Sequence, residues 1–112
     1  MKINMMNFMQ YDTYKLYSHK PSKTELIDEI REDLMTQSIE CDSSYISEKL
    51  YTMIAKSVRT EKQDTIFVLY YIYGNSIVQI HFITGESMTR IYKTINSVKN
   101  RLVKNFYNEI VK

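Results

Sequence analysis

Apolar residues along this chain recur at helical rather than strand spacing. Ile27, Ile30 and Leu34 follow a Ser22-x-x-Glu25 start signal just after Pro21, which predicts a helix over 23–37. Residues 37–44 are polar and read as a loop. Ile46, Leu50, Ile54 and Val58 then repeat every fourth position, with Met53 beside them, predicting an amphipathic helix over 44–59. Thr60 and Gln63 repeat the start signal, and a helix over 61–73 should stop at Gly74, where a left-handed backbone costs least. Ser76 and Gln79 open a short helix that closes before Gly85. Ser87 caps the last helix, in which Ile91, Ile95, Val98 and Leu102 form one apolar stripe continued by Phe106. Arg90, Lys93, Thr94, Ser97, Asn100, Arg101 and Lys104 occupy the opposite face. The pattern predicts an all-α fold of four to five helices.

Near the start, Met5, Phe8, Met9, Tyr11, Tyr14, Leu16 and Tyr17 fit helical spacing only loosely. They are compatible with a core helix, a partner-binding face or an arm. With 112 residues, one proline and two glycines, the chain has room for one modest core and few of the turns an all-β fold needs. Charge divides it into an acidic helical region, 1–59, and a basic module, 60–112. Residues 22–50 hold three basic against eight acidic side chains, and residues 62–112 hold seven basic against three acidic. Such asymmetry suggests two surfaces with different partners. The acidic region is expected to pack on the basic module and to offer a surface for a partner. No run approaches transmembrane length, and the first residues lack the unbroken apolar core of a signal peptide. The single Cys41 cannot close an internal disulfide. The expectation is a cytoplasmic chain without membrane contact.

Catalytic constellations are missing from the sequence. His19, His81 and Cys41 have no metal-ligand spacing, so no metal and no cofactor are expected. Asp28 with Glu32 and Glu29 with Asp33 stand on adjacent helical turns, an arrangement that more often makes a hydrated or docking face than an acid–base pair. No phosphate loop or nucleophile elbow occurs, so an enzyme is not expected. Tyr70, Tyr71 and Tyr73 are expected to pack their rings in a small core with hydroxyls at its rim. Tyr92, beside Arg90 and Lys93, is expected at a nucleic-acid backbone.

Two glycine-punctuated helices followed by a long basic helix form the build of a C-terminal trihelical helix-turn-helix. From Asp64 to about Phe106 the chain resembles region four of bacterial sigma factors and the sigma-like regulators of phages and mobile elements. The run Ile66 to Leu69 leads through Tyr71 to Gly74, Ser76 caps the next helix, and Ile80 takes a buried place. Gly85 stands at the turn, Ser87 caps the recognition helix, and Ile91, Ile95 and Leu102 form its buried face. His81 replaces the small Ala usual in that family, Gln79 a frequent Glu, and Thr84 a frequent Leu. Residues before 60 show no match to the promoter-melting region, so the resemblance implies a solitary DNA-binding half. It implies a transcriptional regulator that binds double-stranded DNA in the major groove, with RNA polymerase or a second copy as further partners.

On that basis the DNA-binding residues are expected to be Ser76, Ser87, Met88, Thr89, Arg90, Tyr92, Lys93, Thr94, Asn96, Ser97, Arg101 and Lys104. Arg and Lys donate to guanine edges and phosphates, Thr meets a phosphate or a thymine methyl, and Asn pairs with adenine. The alternative is a helix-turn-helix used as a protein-binding module. An example is a phage-type inhibitor of a host nucleic-acid-binding protein, whose acidic Glu25–Glu32 face would imitate DNA charge.

Overall fold

A computed structural model describes residues 14–112. Residues 14–18 are helical, and five helices follow: α1 (Lys23–Met35), α2 (Ser43–Ser57), α3 (Glu61–Tyr71), α4 (Ile77–Thr84) and α5 (Met88–Val111). The described residues contain no strand. The roles considered for Met5, Phe8, Met9 and Tyr11 lie outside the described residues.

The helix starts follow the local signals, with one difference in detail. Ser22, Thr60, Ser76 and Ser87 each accept a hydrogen bond from the backbone N–H three residues on. Only at Ser76 is the reciprocal bond made, where the Gln79 side chain accepts from the Ser76 N–H at 2.9 Å. Glu25 turns instead to His19 Nε2, 2.9 Å away. Gln63 accepts from the N–H of Arg59, one residue upstream of the cap, at 2.9 Å. Those two positions thus use half of the expected capping box and spend the other side chain on a longer-range link.

α1 ends two residues earlier than its periodicity suggests. Ser38 takes a left-handed backbone (φ 63°), and the N–H groups of Ser38 and Ile39 return to the carbonyls of Met35 and Leu34. This paired closure satisfies the last carbonyls and turns Ile39 onto the core. α4 ends on Gly85 (φ 79°), whose N–H donates to the His81 carbonyl oxygen.

Every other helix contacts α5. α2 runs antiparallel to it, with Lys49 near Glu109 at one end and Ser57 bonded to Arg101 and Asn105 at the other. α1 lies on a second side, where Glu29 pairs with Lys99 at 3.6 Å. The stripe Ile91, Ile95, Val98, Leu102 and Phe106 is buried, as the spacing predicts, and Val103 joins it. Val103 lies off the stripe on a helical wheel, and it is buried because α5 is covered from more than one direction. Leu26, Ile30, Ile46 and Leu50 share one buried cluster with Phe67, Ile80, Leu102 and Phe106, so the core draws on both halves of the chain.

An aromatic cluster on α3 carries the hydroxyl that ties this helix to α1. Tyr70 and Tyr71 meet edge to face at 4.8 Å, and Phe67 lies 5.1 Å from Tyr71. The Tyr71 hydroxyl donates to Glu29 Oε2 at 2.7 Å, so the polar tip of a buried ring finds its acceptor on another helix. Tyr73 differs: its side chain is exposed.

Candidate functional site

The N-terminal third of α5 is held by its own cap and by the turn before it. Ser87 Oγ accepts from the Arg90 N–H at 3.2 Å. Ahead of it, His81 lies 2.6 Å through Nδ1 from the Glu86 carbonyl oxygen. A carbonyl only accepts, so Nδ1 carries the proton in this bond. Thr84 Oγ1 donates to the Ile80 carbonyl and accepts from the Glu86 N–H. His81, Thr84 and Gln79 are the three places where the chain departs from the sigma-like pattern. All three make polar bonds that shape α4 and the turn after it.

An open groove of about 450 Å³ runs along this end of α5, lined by Gln63, Ser87, Thr89, Arg90, Lys93, Thr94 and Ser97. No carboxylate lines it. Arg90 and Lys93 are exposed, and Thr94 and Ser97 are half-buried along the groove. Glu86 stands at the edge, its carboxylate 3.0 Å from Lys62 Nζ and 3.6 Å from Arg90 Nη1. The Lys62 ammonium, bonded directly to it, holds Glu86 below the usual carboxylate range, with Arg90 adding to the effect. Arg90 is exposed and meets Glu86 only at 3.6 Å, so it can exchange Glu86 for another acceptor at little cost while Lys62 keeps the carboxylate paired.

The twelve residues expected at a DNA surface fall into two sets. Ser87, Thr89, Arg90, Lys93, Thr94 and Ser97 come together in the groove. The other six do not line it. Ser76 is buried, and its hydroxyl is committed to the start of α4. Met88 packs against the core, and so does Tyr92, whose ring lies 6.5 Å from that of Tyr17. Asn96 is half-buried outside the groove. Lys104 lies beside a separate cleft with Asp33, Thr36 and Gln37, about 21 Å along the helix axis from Arg90.

Arg101 is drawn inward. Its Nε donates to the Ser57 carbonyl at 2.7 Å, Nη1 to Ser97 Oγ at 2.8 Å and Nη2 to Gln63 Oε1 at 2.7 Å. Burial, and then the like charge of Arg59, lower its proton affinity below that of a free arginine. An amphipathic wheel places Arg101 on the polar face and is blind to Ser57 and Gln63, which approach from 44 and 38 residues away.

Gln63, which lines the groove, and Lys62, which reaches its edge through Glu86, are residues that the sequence reading passed over. Gln63 had already been given a capping role, and Lys56, Arg59 and Lys62 recur every third residue where the acidic span gives way to the basic one. That short cationic run was the available signal.

Among the described residues no group of three His, Cys, Asp or Glu side chains is placed to hold a metal ion, and no helix is long and apolar enough to cross a membrane. Comparison with protein-family models, curated proteins and solved structures found no match.

Proposed function

We propose that α3, α4 and α5 form a helix-turn-helix and that the protein is a sequence-specific DNA-binding regulator of transcription. On this reading it resembles sigma region four in a phage- or mobile-element-type regulator. The observation that carries the proposal is the exposed, carboxylate-free groove on the first turns of α5. Recognition helices present their N-terminal residues to base edges, and Arg90 and Lys93 lie there three residues apart on one face. Arg90 suits bidentate donation to guanine, while Thr89, Lys93 and Thr94 suit phosphates and methyl groups beside it. The bonds tying α1 and α2 to α5 fall from Lys99 onwards, which leaves the opposite end of the helix for a duplex.

The test is selection of duplexes from a random pool by the full chain, followed by titration of selected and scrambled duplexes at several salt concentrations. Enrichment of one motif, with affinity falling steeply as salt rises, supports the proposal. An unenriched pool together with salt-insensitive binding would sink it.

A protein-binding use of the same helices has one observation in its favour. Tyr73, Phe82 and Ile83 expose large apolar side chains on α4 and the turn before it, with Phe82 80% exposed. The acidic-mimic form of this alternative is weaker than the sequence suggests. Glu25 is paired with His19, and Glu29 with Lys99 and Tyr71, which leaves Asp28 and Glu32 as the exposed acids of that face.

A further inference from the structure

Glu86 touches all three of the helices α3, α4 and α5. Its backbone is fixed by α4: the N–H donates to Thr84 Oγ1 at 3.2 Å, and the carbonyl oxygen accepts from His81 Nδ1 at 2.6 Å. Its carboxylate reaches the other two helices. Oε2 accepts from Lys62 Nζ of α3 at 3.0 Å, and Oε1 stands 3.6 Å from Arg90 Nη1 of α5. The Glu86 side chain is 17% exposed and that of Arg90 69%. The carboxylate is therefore the held member of this pair, and the arginine is the one that can turn to a new acceptor. Arg90 lines the groove and Glu86 stands at its edge, so a fixed negative charge adjoins a groove that no carboxylate lines.

A fixed carboxylate beside Arg90 does not treat all acceptors alike. A guanidinium has five N–H donors, more than one carboxylate oxygen can engage, so Arg90 can address a second acceptor without moving far from Glu86. A phosphate in that position brings its own negative charge close to the carboxylate, and the repulsion offsets part of its attraction to the arginine. The O6 and N7 atoms of guanine are neutral acceptors and meet no such repulsion. Lys62 anchors Glu86, so the carboxylate stays at the groove when Arg90 turns away from it. We propose that Glu86 determines specificity by biasing Arg90 towards neutral base edges and against backbone phosphates; this rests on the DNA-binding function proposed above. Glu86 is a positioning residue here, since it acts through Arg90 and makes no contact with DNA. Phosphate contacts carry no sequence information, so a charge that discourages them at the reading arginine widens the gap between specific and non-specific binding.

The experiment compares the full chain with Glu86→Gln, Arg90→Ala and the double variant, each titrated against specific and scrambled duplexes at several salt concentrations. Gln keeps the side-chain length and an oxygen for Lys62, and the bonds to Thr84 and His81 use only the backbone, so the turn survives the change. Glu86→Gln should tighten binding to the scrambled duplex by about 1.5- to 5-fold, the worth of one exposed charge pair. The specific duplex should gain less, so the ratio of the two affinities falls. On the scrambled duplex the plot of log affinity against log salt should steepen by about 0.9, because Arg90 is then released to one more phosphate. In the Arg90→Ala background the same change should move both duplexes by one common factor. Equal gains on both duplexes in Glu86→Gln make Glu86 a general negative charge, which overturns the bias and leaves the DNA function standing. A fall in the ratio that persists in full without Arg90 overturns it too, since the effect then runs through another group. Failure of the wild-type chain to bind any duplex overturns both.

Discussion

Arg90 and Arg101 show what residue type and spacing can convey. Both lie on the polar face of one amphipathic helix, and nothing local distinguishes them. In the fold Arg90 is exposed beside Glu86, while Arg101 is spent on Ser57, Ser97 and Gln63. Their substitutions should therefore fail differently. Arg90→Ala should leave the melting temperature nearly unchanged and cost about 1–3 kcal/mol on a specific duplex, with relaxed preference at one base position. Duplex titration and thermal melts together check this, and wild-type affinity in Arg90→Ala would remove α5 as the reading helix. The buried tyrosines make a separate prediction about alkaline pH. Burial first, and then the carboxylates of Glu25 and Glu29, push Tyr70 up to about 12 from its ordinary 10.0. Tyr71 moves further in the same direction, through burial and its bond to Glu29. The unfolded chain releases these protons near its ordinary value while the folded chain keeps them. Their contribution to stability is thus whole below pH 10 and is lost as pH rises towards 12. Denaturant melts at stepped alkaline pH should show this decline, and Tyr70→Phe should make it shallower. Equal pH dependence in the two proteins would contradict the burial of that phenol.

At the scale of elements, boundaries were largely legible because they rest on local chemistry. A hydroxyl before an apolar run starts a helix, and a glycine or a closed left-handed turn ends one, within a residue or two of expectation. The partners of each element were not legible, because they depend on contacts remote in sequence. Gly74 and Gly85 read alike in the sequence, both as helix stops with positive φ, yet their surroundings differ. A Cβ on Gly85 would meet nothing within 4 Å, whereas on Gly74 it would stand 3.2 Å from the Pro21 carbonyl oxygen. Gly85→Ala should then cost only the left-handed backbone penalty, about 1–2 kcal/mol. Gly74→Ala should cost more, since the chain entering α1 must also give way. Chemical melts of the two variants check the order, and equal losses would place Pro21 elsewhere. In α5, Ile95→Ala should cost about 2–5 kcal/mol, because truncating a packed Ile loses transfer energy and leaves a cavity. A near-neutral melt would mean that the stripe does not face the core.

At the scale of the whole molecule, charge composition suggested a division near residue 60, and the core crosses it. α5 fills its seam from Ile91 to Phe106 with side chains drawn from α1 and α2 as well as from α3 and α4. A fragment of residues 60–112 would lay bare Val98, Leu102, Val103 and Phe106 along with the contacts of Ser57 to Arg101 and Asn105. It should show weak, non-cooperative helical melting by circular dichroism, while the full chain melts in one transition. Cooperative unfolding of the fragment would instead make it an autonomous unit. The same sharing of α5 has a consequence for genetics. In a screen for lost activity in cells, changes at Leu26, Ile30 or Leu50 would score beside changes at Arg90, although they lie in the core and not at the groove. The two classes would part only when the surviving amount of protein is measured, since the first depletes the chain through turnover and the second leaves it abundant.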